Sequence, residues 1–204
     1  MSLDTFNTQK NKHTQRLKVD KKAFFYPEQL QRILDLTNLK QRHTIYCLLN
    51  TGARINEIRH ADEKDIDSER KTLLLRITKT RAKLKETRPT PRTIPISTWF
   101  YKYFKKNVNE YKILSTNATK IMLNKYSKEI GMTNYQDMSA HNLRKTFGTW
   151  MLALNVDGFK LAQHLGHSPD MLRTHYASPD IFNFKDKDIM RELLDDLPSR
   201  MRSN

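Results

Sequence analysis

The segment from His141 to Tyr176 constrains this chain more than any other part of its 204 residues. It reads HNLRKTFGTWMLALNVDGFKLAQHLGHSPDMLRTHY and presents His141, Arg144, His167 and Tyr176 in that order. Apolar residues at positions 143, 147, 151 and 154 share one face of an expected helix over 139–154. Because His141 and Arg144 are three residues apart, they leave that helix on neighbouring rows, away from the apolar face and toward solvent or a ligand.

The rest of the hydrophobic pattern predicts a mostly helical α+β domain with one small antiparallel sheet. Strands are expected at 72–78 and 92–96, on either side of a basic connection, and Pro95 places the second strand at an edge. Gly52 suits a helix C-terminal cap. The expected helices are 27–36, 40–50, 54–60, 97–107, 117–130, 139–154, 157–165 and 184–196.

Three units are expected along the chain. Residues 1–23 are polar and basic without sustained periodicity, which is typical of a flexible arm or linker. Residues 24–180 carry the apolar periodicity and all the motifs, and form the expected domain. Residues 181–204 form a C-terminal helix or tail that docks either on its own domain or on a neighbouring protomer.

The distribution of charge indicates a polyanionic partner, with nucleic acid first. The net charge is +15 and the isoelectric point is about 9.9. A generally basic soluble protein would spread this charge evenly, but residues 70–92 contain nine bases and one acid. The bases are Arg70, Lys71, Arg76, Lys79, Arg81, Lys83, Lys85, Arg88 and Arg92. Such focusing is what a surface that follows DNA phosphates requires.

Several classes of protein fit the sequence poorly. No apolar run approaches the roughly 20 residues of a membrane span, and the start lacks the apolar stretch of a secretory signal. Cys47, the single cysteine, lies in the apolar run IYCLL, which favours a buried core thiol in a reducing compartment. We therefore expect a cytoplasmic, nucleoid-associated protein without a membrane partner.

Two upstream residues complete a polar set with the four in the opening segment. TGARINEI supplies Arg54 and RITKT supplies Lys79. Two arginines, two histidines, a lysine and a late tyrosine suit covalent attack on a DNA phosphodiester. Guanidinium groups bind phosphate oxygens bidentately and keep their charge, and a tyrosine with a pKa of about 10 can serve as a nucleophile once activated.

In these motifs the chain resembles the catalytic domain of the tyrosine recombinase (phage integrase) family, over roughly residues 24–180. The matching elements are TGARINEI, the strand–lysine–strand unit, HNLR, LGH and the tyrosine of THY. The resemblance implies that family's fold. It also implies a site-specific DNA recombinase or integrase that cleaves and rejoins strands through a 3′-phosphotyrosine intermediate.

The resemblance also implies a role for each residue at the reaction centre. Tyr176 would attack the scissile phosphorus, Arg54 and Arg144 would clamp the non-bridging oxygens, and Lys79 would protonate the departing 5′-oxygen. His141 would assist proton transfer at the tyrosine.

Further roles follow for the surroundings of that centre. His167 would hydrogen-bond the phosphate, and Glu57 would orient the cationic groups unless it is an ordinary surface acid. Lys83 and Lys85 share the loop of Lys79 and could replace it, or all three could contact the DNA backbone. The expected DNA contacts are Arg76, Arg81, Lys83, Lys85, Arg88 and Arg92.

The sequence contains four candidate metal ligands within twelve residues: His164, His167, Asp170 and His175. Gly166 and Pro169 interrupt any shared helix, and no cysteine or second histidine pair completes a tetrahedral site. We therefore expect neither a metal nor another cofactor, and expect His164 and His175 to pack or to face DNA.

The expected partner is double-stranded DNA, on which a monomer would assemble into a tetramer. About 23 residues precede the domain, whereas relatives carry an N-terminal DNA clamp, so the chain is expected to be truncated or minimal and to bind DNA weakly. A type IB topoisomerase-like enzyme, a transposase of the same superfamily and a non-catalytic DNA-binding accessory protein stay open as alternatives.

Overall fold

The computed structural model describes residues 24–76, 91–168 and 181–202. Its α-helices are α1 Pro27–Leu36, α2 Leu39–Thr51, α3 Ile55–Ile58, α4 Thr98–Asn107, α5 Thr116–Glu129, α6 Ala140–Ala153, α7 Gly158–Leu165, α8 Phe184–Leu194 and α9 Leu197–Arg202. Short 3₁₀ turns lie at Glu63–Asp65 and Tyr135–Asp137. The strands are β1 Ile66–Asp67, β2 Thr72–Leu75 and β3 Arg92–Pro95.

The strands form one antiparallel sheet in the order β1-β2-β3. Leu73 pairs with Ile94, and both side chains are buried. Pro95, which cannot donate to a ladder, lies on β3 at the edge of the described sheet, as its position in the sequence predicts. The expected mostly helical α+β class is confirmed, with β1 as an additional strand of two residues that no periodicity could indicate.

Helices α2 and α6 pack together at the centre of the core. Residues 142–151 of α6 are all buried, so this helix is enclosed on every side rather than along one face. The chain entering α1 helps to enclose it, because the Phe25 amide donates to Thr146 Oγ1 at 2.9 Å and Trp150 Nε1 donates to the Phe25 carbonyl at 3.1 Å. His141 is exposed as expected, whereas Arg144 is buried, since protein groups surround its guanidinium.

Local chemistry explains where the helices near this core begin and end. The Asn38 side chain accepts from the Gln41 amide at the start of α2, and Asp157 accepts from the Lys160 amide at the start of α7. Gly52 ends α2 with φ +57° and confirms the predicted cap. Gly166 ends α7 in the same left-handed conformation.

The C-terminal segment packs on the body of its own chain. Helix α8 contacts α1, α2 and α6, and α9 contacts β3. Buried side chains from this segment join the core: Phe182, Met190, Leu194, Leu197 and Met201. This is the intramolecular alternative of the two arrangements considered for the tail, and docking on a neighbouring protomer stays a prediction.

The expected continuous helix over 184–196 ends two residues early. Asp195 turns the chain with φ +53°, and its carboxylate accepts from the Trp99 amide at 2.8 Å. The next carboxylate, that of Asp196, accepts from the Thr98 amide at 2.7 Å. The two carboxylates accept hydrogen bonds from the first amides of α4, which have no partner within that helix. Their negative charge also lies at the positive end of the α4 dipole, so these contacts favour a turn over continuation of the helix.

Candidate active site

The chain reverses between α2 and α3, and this turn presents the first candidate residue. Gly52 lets the backbone turn, and Arg54 is the N-cap residue of α3. The Arg54 amide donates to Glu57 Oε2 at 2.7 Å, and its Nη1 donates to Glu57 Oε1 at 2.9 Å. The motif TGARINEI therefore folds so that the acid holds the arginine of its own turn.

Glu57 lies at the centre of a group of three arginines. Its side chain is 1% exposed, and besides Arg54 it accepts from Arg92 Nη1 at 2.8 Å and Arg92 Nη2 at 2.7 Å. Arg144 Nη1 approaches Glu57 Oε2 at 3.9 Å. Burial by itself would raise the pKa of this carboxyl, but the hydrogen bonds and charges of Arg92 and Arg54 outweigh burial and lower the pKa to about 2.

Arg144 joins α6 to the ends of α2 and α7. Its side chain is 2% exposed; Nη1 donates to the Gly52 carbonyl at 2.7 Å and Nη2 donates to the Leu165 carbonyl. Both carbonyls belong to helix C-termini that left-handed glycines terminate, so their oxygens are available. Backbone acceptors on two helices therefore fix the orientation of a permanently charged group.

His167 follows the cap of α7 and completes the described part of the site. Its Nε2 lies 2.8 Å from Arg144 Nη2. A guanidinium only donates, so Nε2 accepts and the proton of a neutral imidazole is on Nδ1. This tautomer makes Nδ1 a donor on the other side of the ring.

His164, three residues earlier, has a structural position in the core. It is buried, stacks on Phe147 with ring centroids 5.0 Å apart, and donates through Nε2 to the Thr51 carbonyl at 2.8 Å. Burial lowers its pKa to about 4. His164 therefore stays neutral and packs against the turn that carries Arg54.

His141 lies in the first turn of α6, one helical turn before Arg144. It is exposed where Arg144 is buried, so the two residues of HNLR lie at different depths below the protein surface. An exposed imidazole at this position is available to exchange protons with a bound group.

The structure thus brings together Arg54, Glu57, Arg144 and His167, and His141 lies exposed on the same helix as Arg144. Lys79 and Tyr176 lie outside the described residues, as do four of the expected DNA contacts, Arg81, Lys83, Lys85 and Arg88. The roles assigned to all these residues stay predictions.

Two expected DNA contacts are described, and both have protein partners. Arg76 pairs through Nε with the buried carboxylate of Asp65. Arg92 pairs with Glu57, and its side chain is only 14% exposed. The sequence predicted Arg92 as a DNA contact because it belongs to the basic segment 70–92. Its pairing with Glu57 could not be predicted, because the two residues are 35 positions apart and no motif links them.

Two features are absent from the described ranges. None of the helices there combines the length and apolar character needed to cross a bilayer. No cluster of three or more histidine, cysteine or acidic side chains that could hold a metal ion occurs among residues 24–76, 91–168 and 181–202.

The chain is similar to known proteins in sequence and in fold. The model of the phage integrase family matches residues 23–181. The tyrosine recombinase XerA of Saccharolobus solfataricus is 29% identical over 161 residues, which cover 76% of this chain and 53% of the relative.

Two solved structures share the fold at low identity. The Tn1549 transposon integrase in complex with transposon right-end DNA has a TM-score of 0.62 and 20% identity, covering 85% of this chain and 66% of that one. The XerH recombinase bound to a palindromic difH substrate has a TM-score of 0.57 and 18% identity, covering 83% and 52%. The chain spans between half and two thirds of the length of these three proteins.

Proposed function

The chain belongs to the phage integrase family of tyrosine recombinases, and from this premise we propose that it is the catalytic part of a site-specific DNA recombinase. The observation that carries the proposal is the convergence of Arg54, Arg144 and His167 at one site around Glu57. These three residues come from separate segments, and a site of net positive charge suits a phosphodiester.

The first step is attack by the phenolic oxygen of Tyr176 on the scissile phosphorus. A bond forms between that oxygen and phosphorus, and the bond from phosphorus to the 5′-oxygen breaks, which leaves a 3′-phosphotyrosine and a free 5′-hydroxyl. Arg54 and Arg144 bind the non-bridging oxygens, on which negative charge grows in the transition state. Fixed cations therefore stabilise the transition state more than the ground state.

Proton transfer accompanies both the attack and the departure. His141 accepts the proton of the Tyr176 hydroxyl, Lys79 gives a proton to the departing 5′-oxygen, and His167 donates from Nδ1 to the phosphate. Attack on the phosphotyrosine by a 5′-hydroxyl from another strand reverses the chemistry and completes an exchange. The enzyme needs no metal for this sequence, because side-chain cations provide the charge.

Double-stranded DNA is the proposed partner, and assembly into a tetramer occurs on it. Support comes from the focused charge of residues 70–92 and from relatives whose structures contain DNA, the Tn1549 integrase and XerH. A DNA substrate also places the protein with the nucleoid in the cytoplasm.

A nicked suicide duplex tests the chemistry. The short fragment that carries the free 5′-hydroxyl diffuses away after cleavage, so the covalent 3′-phosphotyrosine intermediate accumulates and survives denaturation with detergent. A library of nicked duplexes with randomised flanks, incubated with excess protein at low salt, removes the need to know the target site. We expect a detergent-resistant adduct with the natural chain and none with Tyr176→Phe.

The same substrate separates the alternatives. Absence of an adduct with either protein would overturn the proposed function and favour a DNA-binding accessory protein. An equal adduct with both proteins would overturn the role of Tyr176, because another nucleophile would then form the bond. If an adduct forms, exchanged strands rather than relaxed circles as the final products separate a recombinase from a type IB topoisomerase-like enzyme.

A further inference from the structure

Arg92 uses three of the five N–H donors of its guanidinium in hydrogen bonds to the protein. Nη1 and Nη2 donate to the two oxygens of Glu57 at 2.8 and 2.7 Å, and Nε donates to the His164 carbonyl at 3.0 Å. The side chain is only 14% exposed, so little of the guanidinium can reach a DNA phosphate while these bonds are in place. Arg92 is therefore poorly placed to contact the DNA backbone.

The groups that Arg92 connects hold two sides of the candidate site. Glu57 holds Arg54 in the turn before α3, and His164 lies three residues before His167. Arg92 also lies beside the turn that ends α7, because a Cβ at Gly166 would be in ordinary van der Waals contact with Arg92 Cδ at 3.6 Å. One side chain on β3 therefore fixes the relative positions of the turn with Arg54 and the loop with His167.

Arg92 also changes the charge that the site can offer. Three guanidinium groups and one carboxylate, those of Arg54, Arg92, Arg144 and Glu57, leave a net charge of +2. Without Arg92, the buried carboxylate would retain only Arg54 and Arg144 as cationic partners among the described residues. It would then compete with the phosphate for the two groups that the reaction needs.

We infer that Arg92 is a positioning residue for DNA cleavage: it engages Glu57 so that Arg54 and Arg144 stay available for the phosphate, and it holds the loop that carries His167. The inference rests on the proposed function and deepens it. It also replaces the expectation, drawn from the sequence, that Arg92 is one more contact to the DNA backbone.

Measurements of DNA affinity and of cleavage rate distinguish a phosphate contact from a positioning residue. Loss of one phosphate contact lowers the slope of log K against log salt by about 0.9 and weakens binding. Loss of a positioning residue leaves the slope and the affinity unchanged but slows cleavage at saturating DNA, by about a hundredfold for a displacement near 1 Å. A residue that is only structural would lower the thermal midpoint without changing the cleavage rate of the folded fraction.

The test measures single-turnover cleavage of the suicide duplex, DNA affinity at several salt concentrations, and thermal unfolding. Arg92→Lys keeps the charge but cannot bridge both Glu57 oxygens and the His164 carbonyl, and Arg92→Ala removes the group. Arg191→Ala is the matched control, because Arg191 is an exposed arginine on α8 whose ion-pair partner is the exposed Asp188.

We expect the cleavage rate at saturating DNA to fall by about a hundredfold in Arg92→Lys, while its DNA affinity and salt slope stay unchanged. We also expect added guanidinium ion to restore part of the cleavage rate of Arg92→Ala. Arg191→Ala should cleave like the natural chain. A natural rate in folded Arg92→Lys, or a rate that falls only in proportion to a reduced salt slope, would overturn the inference. Absence of cleavage by the natural chain would instead count against the proposed function.

Discussion

Glu57 shows how much one side chain contributes to this site. Its carboxylate is almost fully enclosed, yet hydrogen bonds from Arg92 and Arg54 keep it ionised and lower its pKa from 4.5 to about 2. A lowered pKa in the folded state means that the ionised group stabilises the fold above the unfolded pKa. This stabilisation is lost as the pH falls through the folded value.

Glu57→Gln should therefore be less stable than the natural chain at neutral pH, by about 3 kcal/mol. The difference should shrink between about pH 4.5 and pH 2, because the natural chain loses its ionic contribution there. Urea unfolding of both proteins at pH 7, 4 and 3 measures this. A stability difference that stays constant over that range would contradict the ion-pair account.

At this scale the sequence predicted Arg54, Arg144 and His167 as one site, because family motifs mark each of them. The partners that orient these residues could not be predicted in the same way. The carbonyls of Gly52 and Leu165 carry no side-chain identity, and Arg92 is one of nine bases in its segment. Only tertiary packing shows which base is buried against the acid.

The turn between α2 and α3 is the element on which the site depends most. Gly52 has φ +57°, and a Cβ there would lie 2.3 Å from Phe147 Cδ1 and 3.0 Å from Leu165 Cδ2. The carbonyl of the same residue accepts from Arg144. Gly52 therefore allows the backbone to turn, packs closely against the core and accepts the hydrogen bond that orients Arg144.

Gly52→Ala should destabilise the fold by about 2–4 kcal/mol, through a strained left-handed conformation and an overpacked neighbour, and should also slow cleavage. Gly131→Ala is a matched control, because Gly131 has φ +84° but nothing within 4 Å of its Cβ position. We expect it to cost about 1 kcal/mol and to leave cleavage unchanged. Chemical denaturation compares the pair, and equal losses would show that the contact with Phe147 is unimportant.

Most elements were predictable because local signals mark their ends. Asn38 and Asp157 cap helices, Gly52 and Gly166 end them, and Pro95 marks the edge strand. The structure differs from the prediction where contacts with residues distant in the sequence determine the end of an element. The helix expected to reach residue 196 stops early because the carboxylates of Asp195 and Asp196 bind the first amides of α4.

For the molecule as a whole, the C-terminal segment is part of the core rather than an appendage. Leu194→Ala should lower the free energy of unfolding by roughly 2–5 kcal/mol, because Leu194 is fully buried. Phe184→Ala, on the same helix but 87% exposed, should leave stability almost unchanged. Equal effects in thermal melts would contradict this packing, and loss of assembly on DNA in Phe184→Ala alone would support docking on a neighbouring protomer.

The concentration of positive charge in residues 70–92 predicts that DNA affinity depends strongly on salt. If six to ten phosphates are neutralised, DNA affinity should fall by roughly 10³–10⁵ between about 50 and 200 mM salt. Fluorescence anisotropy with a labelled duplex across that range measures the slope. An affinity that hardly changes with salt would show that the basic segment does not follow the DNA backbone.

The central claim is that Arg54 and Arg144 act on the negative charge of one scissile phosphate. The most direct measurement compares cleavage of a normal suicide duplex with cleavage of one whose scissile phosphate carries a neutral methylphosphonate. The account predicts that Arg54→Ala cleaves the normal duplex about 10²–10³ times more slowly than the natural chain. We also expect most of this deficit to disappear on the neutral linkage, whose transition state carries one negative charge fewer. An equal deficit on both substrates would contradict the claim, because Arg54 would then be acting on something other than the charge of the phosphate.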